Sequence, residues 1–189
     1  MAELTVTLVY DRTADDVLAV IEAEKNLSDS AVLQEYISGM KGYYCHLDLN
    51  RVETAVGELV TQLNAIHTTL EAEGDISILG LADWLSQGTL SFTIKTDWTK
   101  NQAFEYSDIQ RYLSNVTELR NLVYTLRPEI SPILPLSMRK LDFNGANQIE
   151  YCLEQILNLI PIIIEENLQK LEMMPNHMIL CGEAECGGY

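Results

Sequence analysis

Tyr106-Ser-Asp-Ile-Gln-Arg-Tyr-Leu-Ser-Asn-Val-Thr-Glu-Leu119 recurs, in variant form, at two other places in this chain of 189 residues. Set back by 60 positions it meets His46-Leu-Asp-Leu-Asn-Arg-Val-Glu-Thr-Ala-Val-Gly-Glu-Leu59; set forward by 37 it meets Phe143-Asn-Gly-Ala-Asn-Gln-Ile-Glu-Tyr-Cys-Leu-Glu-Gln-Ile156. In this register Leu49, Ile109 and Ala146 coincide, as do Val52, Tyr112 and Ile149. Val56, Val116 and Leu153 then coincide, followed by Leu59, Leu119 and Ile156. Steps of 3, 4 and 3 residues put such positions on one face of a helix. The pattern predicts three related amphipathic helices whose apolar stripes share one core. Their unequal spacing excludes a regular solenoid. Asn50, Gln110 and Asn147 also coincide, just inside each start, where a polar side chain can bond first-turn N–H groups or a neighbouring loop. The plainer alternative is that any amphipathic helix aligns with any other.

Working outward, the first helix is expected from Leu47 to Ala72, the second from Ser107 to Thr125 and the third from Asn144 to Leu171. Pro161 is expected to kink or split the third, and Pro175 to end the helical region. Glu3–Tyr10 alternates, with Leu4, Val6 and Leu8 on one side, and reads as a strand. Thr89–Lys95, with Leu90, Phe92 and Ile94 on one face, reads as a second, and Met178–Cys181 as a third. Thr13 is placed to cap a helix over Ala14–Lys25, closed by Asn26, and Ser28 to cap a short helix carrying Val32, Leu33, Tyr36 and Ile37. Ile76–Ser86 reads as a short helix or a loop. Arg127–Pro135 holds three prolines and reads as an extended linker, and residues 182–189 as a flexible tail. The expected fold is mainly α with a small β element (α+β). A division into 1–87, with the first repeat, and 88–189, with the other two, is compatible with one compact domain.

Acids number 28 against 12 Lys and Arg, a formal charge of −16. Such a chain repels phosphate backbones, so no nucleic-acid partner is expected. The opening residues carry no basic lead, and the longest apolar run, Ile156–Ile164, is broken by Asn158 and Pro161. Neither a secretion signal nor a membrane span is expected, a span needing ~20 apolar residues. Cytoplasmic synthesis and free cysteines follow.

Several phrases together resemble a protein type encoded in the tail-gene region of phages and prophages of Gram-positive bacteria. They are Tyr10-Asp-Arg-Thr-Ala-Asp-Asp-Val17, Met40-Lys-Gly-Tyr-Tyr44 leading into Asp48-Leu-Asn-Arg-Val-Glu53, Lys95-Thr-Asp-Trp-Thr99, Ser107-Asp-Ile-Gln-Arg-Tyr-Leu-Ser-Asn-Val116 with Arg120, and Asn144-Gly-Ala-Asn-Gln-Ile-Glu150. They span roughly residues 9 to 156. Two loops depart from the type: Lys100-Asn-Gln-Ala103 stands where an aspartate-proline step is usual, and Cys45-His46 replaces small polar residues. The resemblance implies a virion structural component of the tail, baseplate or fibre apparatus. It implies other tail proteins as partners and homo-oligomerisation on a symmetry axis, and it carries no catalytic residue.

The residues themselves point away from catalysis. His46, His67 and His177 lie far apart, and no nucleophile-elbow, P-loop, zincin or dinucleotide pattern occurs. His177, Cys181 and Cys186, with Cys45 or Cys152 as a fourth, are zinc-ligand types at loose spacing, so incidental thiols are the simpler reading. Asp15/Asp16 and Glu165/Glu166 are sequence neighbours and point to different sides of a helix. No enzyme activity, cofactor or metal is expected. Trp98 and Phe92 are candidate interface residues, with Trp98 docked on the helical body as the plainer alternative. A non-virion binding protein, such as a tail assembly chaperone or a host-directed inhibitor, is the second functional reading.

Overall fold

The structure is a computed structural model and describes residues 3–72, 88–126 and 133–181. Its helices are α1 Ala14–Lys25, α2 Ser30–Gly39, α3 His46–Ala72, α4 Tyr106–Leu126 and α5 Phe143–Cys181, with one 3-10 turn at Met138–Lys140. Local chemistry explains the starts. Thr13 and Asp16 exchange bonds in a capping box ahead of α1, and Asn26 closes that helix. Asp29, rather than Ser28, caps α2 by accepting from the N–H groups of Ala31 and Val32. The Cys45 N–H donates to Asp48 at 2.7 Å before α3, and Gly145 N–H donates to Asp142 at 2.7 Å before α5.

The three long helices carry the repeated stripes, and each packs against the other two. Leu49, Val52, Val56, Leu59, Tyr112, Val116, Leu119, Ala146, Ile149, Leu153 and Ile156 are all buried, while Ile109 is half-buried. One hydrophobic cluster draws on both halves of the chain, from Leu49 to Ile163.

The expected β element is not there. Among the described residues no strand occurs, so the fold is all-helical rather than α+β. Segments 3–13 and 88–99 are extended but pair with no other strand. Their alternation is real: Leu4, Val6, Leu8, Leu90, Phe92 and Ile94 all pack against the core. Met178–Cys181 lies within α5, not in a strand. That helix also runs through Pro161 and Pro175 as one element. Pro161 is exposed, while Leu153, Ile156, Leu159, Ile160 and Ile163 continue the buried stripe on both sides of it. Packing along that stripe offsets the one hydrogen bond that a proline removes. Ile76–Ser86, most of the 127–135 linker and the 182–189 tail lie outside the described residues.

The extended segments run antiparallel to the helices they touch. Gln62 of α3 donates to the Glu3 carbonyl, Thr5 N–H donates to Glu58, Val9 N–H to Glu150 and Arg12 N–H to Asn147. Leu90 pairs with Asn64, Lys95 with Glu53 and Trp98 with Asn50. The chain thus climbs a helix and returns extended, which makes the long helices parallel. Segment 3–13 lies between α5 and α3, and segment 88–99 between α3 and α4. Residues 133–142 border α4 at Gln110, Leu113 and Thr117 and reach α5 where Pro135 sits beside Gly145. A returning segment followed by a helix therefore occurs three times around one axis, the third interrupted by the 3-10 turn at Met138–Lys140.

This packing makes Leu153→Ala costly, by about 2–5 kcal/mol, whereas Leu136→Ala at a fully exposed position changes stability by less than about 0.5 kcal/mol. Urea unfolding of the two variants checks this; equal midpoints would place Leu153 outside the core.

Candidate functional site

Two of the three returning segments are written alike. Leu4-Thr-Val-Thr-Leu-Val-Tyr-Asp-Arg-Thr13 and Leu90-Ser-Phe-Thr-Ile-Lys-Thr-Asp-Trp-Thr99 match position by position at an offset of 86. They are held by matching residues. The Asn147 side chain accepts from Arg12 N–H at 3.0 Å and donates to the Arg12 carbonyl at 2.8 Å. Asn50 treats Trp98 the same way, at 2.8 and 2.9 Å. Three residues earlier in each segment, Val9 N–H donates to Glu150 at 2.6 Å and Lys95 N–H donates to Glu53 at 3.2 Å. A side-chain amide presents one donor and one acceptor, as a neighbouring strand would. The helices thereby satisfy the backbone that a sheet would otherwise satisfy.

Each glutamate is in turn held by an arginine from the next helix. Arg51 grips Glu150 with Nε and Nη2, both at 2.8 Å. Arg111, 60 positions later, grips Glu53 with Nη1 at 2.8 Å and Nη2 at 2.5 Å. Arg111 Nη1 and the Asn115 amide also donate to the Thr93 carbonyl, at 2.9 and 3.0 Å. Asp48 and Asp108 stand three residues before their arginines and pair with them, Asp48 closely and Asp108 at 3.9 Å.

The two clasps differ at one position. Arg12 sits where the other segment has Trp98. Its Nη2 donates to Asp48 and Glu150, both at 2.7 Å, Nε donates to the Lys41 carbonyl at 3.1 Å, and Nη1 donates to the Val9 carbonyl. Arg12, Asp48 and Glu150 are buried, and with Arg51 they form a cluster of two positive and two negative charges. Trp98 fills its place with apolar surface instead. It is 3% exposed, meets Phe104 edge-on at 5.1 Å and carries the Lys95 ammonium 3.7 Å above its ring. The contacts of Trp98 are thus within the chain, and Phe92 is half-buried against the core.

The third groove lacks these residues. Gln110, Leu113 and Gln148 occupy the positions of the asparagine, glutamate and arginine, and Leu134, Met138 and Leu141 cover the groove by apolar packing. Gln110 donates to the Tyr106 hydroxyl instead, at 3.0 Å.

Burial works against the Arg51 charge, but Glu150 and Asp48 outweigh it and hold the guanidinium above its ordinary pKa. Glu53 does the same for Arg111. Tyr44 and Tyr112 share a hydrogen bond, and burial raises both phenols. Burial also raises the Cys45 thiol and pushes Cys152 up to about 12, so both are neutral thiols near pH 7.

The carboxylates of the two clasps are saturated. Glu150 accepts from the Val9 N–H, Arg12 and Arg51, Asp48 from the Cys45 N–H and both arginines, and Glu53 from the Lys95 N–H and Arg111. A cleft of about 710 Å³ borders Arg12, Asp48 and Arg51, yet those carboxylates already have their partners. His67 is buried on α3, far along the helix from His46. Among the described residues no group of His, Cys, Asp and Glu is placed to hold a metal. The side chains of His177, Cys181 and Cys186 lie outside what is described. Compared with protein-family models, curated proteins and solved structures, the chain matches none.

The repeat register already pointed to the asparagines, with a neighbouring loop among their expected partners. It did not reveal Glu53/Glu150 or Arg51/Arg111, although both pairs sit at matching offsets. Removing one partner of a buried ion cluster costs far more than removing an exposed one. Glu150→Gln is expected to cost about 3–5 kcal/mol, and Glu58→Gln, which holds Thr5 at the surface, under about 1 kcal/mol. Urea midpoints that fall equally for both would deny the cluster its role.

Proposed function

We propose that this chain is a structural component of a phage tail, in the tail, baseplate or fibre region, which works by packing and docking rather than turnover. One observation carries the reading. The phrases that resemble the tail-region type contain the residues that build the two clasps: Arg12, Asp48 to Glu53, Lys95 to Trp98, Arg111 and Asn115, and Asn147 to Glu150. The likeness therefore falls on the residues that fix the fold. The saturated carboxylates agree with a scaffold. On this reading its partners are other tail proteins, it is made in the host cytoplasm and ends in the virion.

The threefold plan bears on copy number. A homo-oligomer suits a symmetry axis, but a chain that already carries three quasi-equivalent units can occupy a threefold axis as a single copy. Among the described residues no helix is long and apolar enough to cross a membrane. A tail assembly chaperone is the alternative, supported by the acidic charge, which suits masking a basic partner.

Mass spectrometry of purified particles separates the two. A structural component is present in a fixed ratio to the other tail proteins. A chaperone is abundant in infected cells and missing from particles, and that result would overturn the structural reading.

A further inference from the structure

The α1–α2 hairpin, inserted between Thr13 and α3, stands outside the threefold plan, and a cleft opens where α2 meets the loop that leads from Trp98 into α4. Its volume is about 500 Å³, within the range of small-molecule sites. Tyr36, Tyr43, Tyr44, Trp98 and Phe104 line it. Tyr36 stacks on Tyr43 with ring centres 5.4 Å apart, and Phe104 meets Trp98 edge-on at 5.1 Å. Such surfaces suit a planar ring, which packs against aromatic faces and edges at low cost in ordering.

The lining is also an exception in charge. The chain carries 28 acids, yet among the described residues that line this cleft none is acidic, and Lys100 and His46 are its basic residues. Neither of those two side chains has a partner among the described residues. The larger cleft beside the clasp is lined by Asp11 and Asp48 instead. An anionic ligand is therefore favoured here and opposed there.

The deciding group is the indole N–H of Trp98. Asn50 holds the Trp98 backbone and Lys95 covers its ring, but Nε1 is buried and has no acceptor among the described residues. A buried donor left without an acceptor is costly, and few such groups persist in folded chains. A ligand that brings an acceptor to it removes that cost.

We infer that this cleft binds a small planar aromatic carboxylate, with its ring among the aromatic side chains and a carboxylate oxygen accepting from Trp98 Nε1. Nε1 is covered in this structure, so the ligand reaches it by displacing a neighbouring side chain. The inference concerns this cleft alone and holds whether the chain acts in the virion or as a chaperone.

The test titrates the full chain, labelled with nitrogen-15, with 2-naphthoate, and separately with 2-naphthylmethylamine, which has the same ring and the opposite charge. The chain has two tryptophans, so Trp84→Phe assigns the Trp98 indole N–H resonance. That resonance is expected to move downfield and saturate with 2-naphthoate. Affinity is expected to fall about tenfold for Ile37→Glu and for Lys100→Glu, each of which sets an acid in the lining. Leu136→Glu adds the same charge as Ile37→Glu at a fully exposed position outside the cleft and leaves affinity unchanged. Ile37 and Lys100 are exposed, so circular dichroism should show an intact fold in both variants. Absence of saturable binding overturns the inference, as does equal affinity for the amine. Binding that leaves the Trp98 indole resonance in place, or that neither Ile37→Glu nor Lys100→Glu weakens, also overturns it.

Discussion

A side-chain amide that bonds both the N–H and the C=O of one residue in an extended segment is the contact on which this fold turns. A segment lying along a helix has no strand beside it, and its polar backbone cannot be left dry. Asn147 resolves this for Arg12, and Asn50 resolves it for Trp98. With the amides set, Glu150 and Glu53 take the N–H three residues earlier, and the segment is fixed in height and register. Parallel helices require long return connections, and here the returns become part of the wall.

The buried charges follow from that arrangement. A glutamate used as a backbone acceptor brings its charge inside, and an arginine from the adjacent helix must neutralise it. Arg51 does so for Glu150 and Arg111 for Glu53, so each clasp joins two helices and one segment. Such pairs add little net stability against apolar packing. Their strength is discrimination, because a one-residue slip of segment or helix leaves a buried charge unpaired. The third groove shows the other solution. With Leu113 at the glutamate position and Gln148 at the arginine position, it is closed by Leu134, Met138 and Leu141.

Much of this was legible in the residues, and its limits have physical causes. The 3-4-3 spacing located the three helices and their inward faces, because helical periodicity is a local property. The alternation in Leu4-Val6-Leu8 and Leu90-Phe92-Ile94 correctly marked one side as inward-facing. Alternation reports which side is buried, however, and not what the backbone bonds to, so these segments read as strands. Arg12 and Glu150 are 138 positions apart, and nothing local links them. The likeness of the two segments to each other, and of Asn50-Arg-Val-Glu53 to Asn147-Gln-Ile-Glu150, was the signal that could have joined them. The split that Pro161 could have caused does not occur, for a related reason: the cost of a proline is local, while the stripe that carries α5 past it is tertiary.

Native-state amide hydrogen exchange tests the clasps most directly. The account predicts that the amides of Val9, Arg12, Lys95 and Trp98 exchange slowly, with protection approaching that of core amides in α3 such as Leu59, although they belong to no helix or sheet. Fast exchange at these four positions, with the helices still protected, would contradict it.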